Sequence, residues 1–126
     1  MEYIIDKNTI NHLLVKMDIK KNLFITISST GQFILNAASG KYLKLNEVDY
    51  VELILEDNSF FIRKSNSKNG FRVAKHSKLE KYNYRFNNIN LLRIIKYKLK
   101  IKENKSIKFR LFFDEKTPDK LLFKKI

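Results

Sequence analysis

Apolar and polar residues alternate with a period of two over much of this chain, the pattern of strands that bury one face. Leu23-Phe24-Ile25-Thr26-Ile27-Ser28 is β-branched and ends in Ser29-Thr30-Gly31, a turn signal leading into Gln32-Phe33-Ile34-Leu35. Val48 to Leu55 reads as a strand, Glu56-Asp57-Asn58-Ser59 as a turn, and Phe60 to Arg63 as the return strand of a hairpin. Two places change period. Ile10, Leu13, Leu14 and Met17 stand at i, i+3, i+4 and i+7, which predicts a helix over 8–20 with Asn8 or Thr9 as its N-cap. Residues 36–43 read as a short helix capped by Asn36, after which Leu45 enters the core.

Ser65-Asn66-Ser67-Lys68-Asn69-Gly70 is the only linker-like stretch and marks an internal boundary. Beyond it Phe71 to Lys75 alternates, and Tyr82, Tyr84 and Phe86, spaced by two, predict another strand. Asn88 then caps a helix through Lys98, with Leu91, Leu92, Ile94, Ile95 and Leu99 on the 3.6 period. Ile107 to Phe113 and Leu121 to Lys125 predict two strands, joined by a turn over 114–120 that includes Pro118. Phe112, Phe113 and Phe123 are assigned to the core. Residues 95–102 fit both periods, because Ile95, Tyr97, Leu99 and Ile101 alternate with Lys96, Lys98, Lys100 and Lys102. A strand would put four lysines on one face. The favoured reading is a helix ending near Lys98, followed by a short strand or loop.

The order Gly31-x-Phe33-x-Leu35-Asn36, then Leu43-x-Leu45, Asp49-x-Val51-Glu52-Leu53-x-Leu55-x-Asp57 and Ile62-x-Lys64 resembles the swapped-hairpin domain of AbrB-type and MazE-type regulators. The resemblance covers about residues 23–64. It implies two hairpins that interlace with those of a second chain into one dimeric barrel. That family commonly carries Arg after the turn glycine and Pro at the end of that strand, whereas this chain has Gln32 and Asn36. The cations by which such dimers grip DNA are largely missing from residues 23–62. The resemblance therefore implies a dimerisation scaffold whose DNA-binding face lies elsewhere.

Charge locates that other face. Residues 1–62 hold 6 Lys/Arg against 8 Asp/Glu, while residues 63–126 hold 20 against 5, so the whole net charge of +13 comes from the second half. A basic half attracts polyanions and is a recognised pointer to nucleic acid or acidic partners. Lys supplies 21 of the 26 cations; codon bias accounts for its abundance, not its placement. At 126 residues with 44% hydrophobic and 13% aromatic content, the chain has the composition of a folded protein. Zero cysteines exclude disulfides, thiolate zinc sites and cysteine nucleophiles. No apolar run is long enough for a membrane span, and the acidic opening Met1-Glu2-Tyr3-Ile4-Ile5-Asp6 is no signal peptide. The cytoplasm is expected.

No catalytic constellation stands out. Three glycines exclude a P-loop or dinucleotide fingerprint, His12 and His76 have no ligand-spaced neighbours, and no cofactor or enzyme activity is implied. The candidate nucleic-acid contacts are Arg63, Lys64, Arg72, Lys75 and the run Lys96, Lys98, Lys100, Lys102, Lys105, Lys108 and Arg110. Tyr82 and Tyr84, flanked by Lys81 and Arg85, are the base-stacking candidates. The expected fold is α+β and β-dominated, with a helix and swapped-hairpin-like scaffold over 1–64 and a basic strand–helix–hairpin region over 70–126, or one continuous domain. The expected function is a nucleic-acid-binding accessory or regulatory protein of a phage or mobile element. It would be a homodimer using sequence-tolerant phosphate contacts, with DNA favoured over RNA. The alternative is a structural protein whose basic half docks on an acidic protein.

Overall fold

Side chains alternate across the sheet as the sequence predicts. In β1 (Phe24–Ile27) and β2 (Gln32–Asn36), Ile25, Ile27, Phe33 and Leu35 are fully buried, while Phe24, Thr26, Gln32 and Ile34 face outward, partly exposed. The computed structural model describes residues 4, 6, 7, 9, 10, 22–46, 48–78, 81–114 and 116–126. Gly31 adopts φ +88 in the β1–β2 turn, and a Cβ there would press on the backbone of Ile89. Glycine is therefore required at that turn by both conformation and space. Asp57 and Asn58, both at positive φ, turn β3 (Tyr50–Glu56) into β4 (Ser59–Ser65), the hairpin turn suited to such residues.

Among the described residues, nine antiparallel strands form one sheet in the order β5-β3-β4-β9-β8-β1-β2-β7-β6. The remaining strands are β5 (Phe71–Arg72), β6 (Ala74–Lys78), β7 (Lys81–Asn87), β8 (Ile107–Asp114) and β9 (Thr117–Lys125). β5 pairs with β3 at one edge and β6 with β7 at the other, although only Val73 separates them in sequence. Val73 is buried, and its N–H donates to the Asp49 carbonyl at 2.9 Å. The chain itself thus bridges the seam of a nearly closed, barrel-like sheet.

This overturns the expected α+β arrangement of a swapped-hairpin region followed by a strand–helix–hairpin region. The β8–β9 hairpin inserts between the first two hairpins: β9 pairs with β4 and β8 with β1. The edges that an interlaced partner would cover are taken by strands of the same chain, with β7 on β2 and β5 on β3. Unpaired edge groups are satisfied intramolecularly. Phe109, Leu111 and Leu121 from this inserted hairpin join Ile25, Phe33 and Ile62 in one core.

Among residues 22–126, two helices pack against the sheet. α1 (Ala37–Tyr42) follows β2, and α2 (Ile89–Leu99) follows β7; because β2 and β7 are antiparallel, the helices start at opposite ends. Each is capped as the sequence predicts. Asn36 Oδ1 accepts from the Ser39 N–H at 3.1 Å, and Asn88 Oδ1 from the Leu91 N–H at 2.9 Å. Of the expected helix over 8–20, residues 11–20 lie outside the described residues. Asn8 also lies outside them; Asp6 and Thr9 exchange side-chain-to-backbone hydrogen bonds at 2.7 and 3.0 Å, a capping-box geometry in which Asp6, and not the expected Thr9, takes the N-cap place.

The C-terminal turn is shorter than expected, since β9 resumes at Thr117. Pro118 is tolerated because it lies beyond the last β4 partner of that strand, where no ladder donor is required. Phe123 is buried and Phe113 packs on the core, but Phe112 faces outward between inward-facing Leu111 and Phe113.

Candidate nucleic-acid interface

Cations that face carboxylates contribute little net positive field, so pairing separates the basic residues into two groups. Arg63 lies 3.4 Å from Glu52, Lys64 lies 3.4 Å from Asp49, and Lys120 lies 3.1 Å from Glu56. Lys64 also donates to the Lys44 carbonyl at 3.3 Å. Such surface pairs stabilise the fold by about 0–1 kcal/mol each; their larger effect is to neutralise the acidic β3–β4 side. Arg63 and Lys64, expected to grip phosphate, are already engaged. Arg72 and Lys75 are exposed on β5 and β6, and Arg85 on β7 donates from Nε to Asn83 Oδ1 at 2.8 Å.

Tyr84 does not fit the expected stacking role. It is 4% exposed, its ring packs against Gly40 of α1, and its hydroxyl donates to the Leu45 carbonyl at 3.1 Å. The reason is register: Tyr84 shares a sheet face with Phe86, which stacks on Phe33 in the core. The side chains of Lys81 and Tyr82 lie outside the described ones.

The second group gathers around α2. Leu91, Leu92 and Ile95 are buried against the barrel, which turns Arg93, Ile94, Tyr97 and Lys98 outward. The helix ends as a Schellman motif: the Ile101 N–H donates to the Lys96 carbonyl at 2.9 Å, and Lys100 takes the left-handed position at φ 56. Periodicity alone left residues 95–102 open; the helix runs to Leu99, and Tyr97, exposed while Ile95 and Ile101 are buried, breaks the alternation that a strand would need. Lys96 donates to Asn104 Oδ1 at 3.4 Å, holding the following connection against the helix, and that connection exposes Lys102 and Lys105. β8 then turns Lys108 and Arg110 to its outer face, over the rings of Phe24 and Phe112 at 4.3 and 5.2 Å.

Between residues 88 and 113 there are eight Lys/Arg and one carboxylate, Glu103. That carboxylate already faces Lys125 at 3.9 Å. Lys96, Lys98, Lys100, Lys102, Lys105, Lys108 and Arg110 thus lie on three consecutive elements, α2, the connection and β8, while Arg63, Lys64 and Tyr84 lie elsewhere. The structure adds Arg93 and Tyr97, the latter 80% exposed. Both follow from the helical period, which puts them opposite Leu91 and Ile95. On the sheet, Lys124 joins Arg110, its register partner; inward-facing Leu111 and Phe123 were the signal for both.

At the other end of the barrel a cavity of about 790 Å³ opens beside α1, lined by Tyr42, Lys44, Glu52, Arg63, Lys64 and Asp119 among others. Two of its cations, Arg63 and Lys64, face Glu52 and Asp49, and Asp119 adds a further carboxylate, so it lacks the one-signed field of the α2 side. Burial, and then Asp119, raises the Tyr42 pKa. Among the described residues no three His, Asp or Glu side chains converge as metal ligands would, and no helix is long and apolar enough to cross a membrane. No protein-family model matches the chain, and neither a curated protein nor a solved structure shows significant similarity to it.

Proposed function

We propose that this is a cytoplasmic nucleic-acid-binding accessory or regulatory protein. Its grip is the phosphate backbone, held by α2, the connection over 100–106 and the outer face of β8. The supporting observation is the cluster of eight Lys/Arg facing a single, already paired carboxylate between residues 88 and 113. Six of these cations, Arg93, Lys98, Lys100, Lys102, Lys105 and Lys108, are exposed. Most are lysines, compact point charges that meet phosphate without the rigid fork by which arginine reads base edges. Tolerance of sequence follows, and DNA remains the favoured partner.

A salt titration of binding tests this reading. Each phosphate contact releases counterions, so log K falls against log salt by about 0.9 per contact on duplex DNA and 0.7 on single strands. Engagement of most of the six exposed cations gives an expected slope between roughly −3 and −5. Absence of binding to any DNA or RNA probe at low salt, or binding that ignores salt, would contradict it.

A further inference from the structure

Outward positions of β3, β4, β9 and β8 carry an apolar and aromatic row that a solvent-facing sheet surface does not need. Ile54 pairs with Phe61, Phe61 with Leu122, and Leu122 with Phe112, so four half-buried apolar side chains run unbroken across four strands. The next row along the strands is Phe24, Arg110 and Lys124. The rings of Phe24, Phe61 and Phe112 each have a cation over them: Lys108 at 4.3 Å from the Phe24 centroid, Lys120 at 4.3 Å from Phe61, and Arg110 and Lys124 at 5.2 and 5.1 Å from Phe112. A shallow cavity of about 300 Å³ lies between Phe61, Phe112 and Lys120, with Glu56 at its rim paired to Lys120. Arg110 Nε is buried and has no acceptor among the described residues, a donor left unsatisfied at a cost unless a ligand supplies the acceptor.

Resting on the nucleic-acid reading above, we propose that this face is a stacking platform that selects single strands over duplex. Rings that alternate with cations match a strand that alternates bases with phosphates, and base–aromatic stacking tolerates any sequence. Strand geometry sets Phe112 roughly 8–10 Å from each of Phe24 and Phe61. Duplex bases lie about 3.4 Å apart along each strand, with both faces covered by their neighbours. Splayed bases of a single strand can therefore use these rings, and paired bases cannot. On binding, Lys108 and Lys124 swing from the ring faces to the phosphates while Lys120 stays with Glu56, and Arg110 Nε gains its acceptor.

Matched single-stranded and duplex oligonucleotides of mixed sequence, measured at one salt concentration, test this. The double substitution Phe24→Leu and Phe112→Leu keeps apolar bulk and removes the flat rings. It is expected to weaken single-strand binding by about tenfold or more while leaving duplex affinity within twofold. Phe112→Trp places a lone tryptophan in a chain that has none, and oligothymidylate is expected to quench its emission. Equal losses on both probes, unchanged single-strand affinity, or unquenched emission with strand bound would overturn the platform while leaving phosphate binding intact. Self-association through this face that the leucine variant abolishes would also overturn it, by making a second copy the occupant. If the wild-type chain binds neither probe, the nucleic-acid reading itself fails.

Discussion

Tyr42 donates its phenolic hydrogen to the Pro118 carbonyl at 2.8 Å, tying the end of α1 to the start of β9. Burial, assisted by Asp119, raises its pKa above the usual value of about 10. Below that value the phenol is protonated in folded and unfolded chains alike. Above it the unfolded chain ionises first, so stability falls as pH rises from about 10 through the folded-state pKa. Tyr42→Phe is expected to cost about 1 kcal/mol near pH 8 through the lost hydrogen bond, with the gap to wild type narrowing above pH 10. Urea midpoints of both proteins at the two pH values check this; a gap independent of pH would show that the phenol does not titrate as described. Tyr84 illustrates how a residue's role depends on its face. Alternation assigned Tyr82, Tyr84 and Phe86 to one face but not to the inside or outside of the sheet. The apolar Phe86 was the available sign that this face points inward.

At the scale of elements, local signals were legible and pairing was not. Asn36 and Asn88 mark their helices because a side-chain oxygen must accept from the first free N–H groups. Gly31 and the pair Asp57-Asn58 mark turns because few residues adopt positive φ without strain. Nothing local tells β8 to pair with β1, about eighty residues earlier in sequence; that contact is chosen by complementary buried faces. The loop over 65–70 looked like a boundary because it is polar, yet Ser65 is buried and a Cβ on Gly70 would meet the Val51 carbonyl. Interleaving has a direct consequence. A chain ending at Lys64 loses the β8 and β9 partners of β1 and β4 and is expected to show no cooperative unfolding transition by circular dichroism. A sharp transition in that fragment would contradict the shared core.

Over the whole molecule, the fold redistributes a charge asymmetry that the sequence shows only as first half against second. Three cations from the basic half neutralise the carboxylates at β3, and eight of its other seventeen lie between residues 88 and 113. Location, not total charge, is therefore the central claim. Two triple variants that remove the same charge separate the two. One carries Lys98→Gln, Lys100→Gln and Lys102→Gln; the other carries Lys44→Gln, Arg63→Gln and Lys64→Gln at the α1 end. Gln propagates helices nearly as well as Lys at Lys98, and the surface pairs lost with Arg63 and Lys64 are worth about 0–1 kcal/mol each, so folding is expected to survive in both. Binding to one oligonucleotide across a salt series is the decisive measurement. The first variant is expected to bind weakly with its salt slope reduced by about 2–3, and the second to bind as wild type; equal losses in both, or loss in the second alone, would contradict the account.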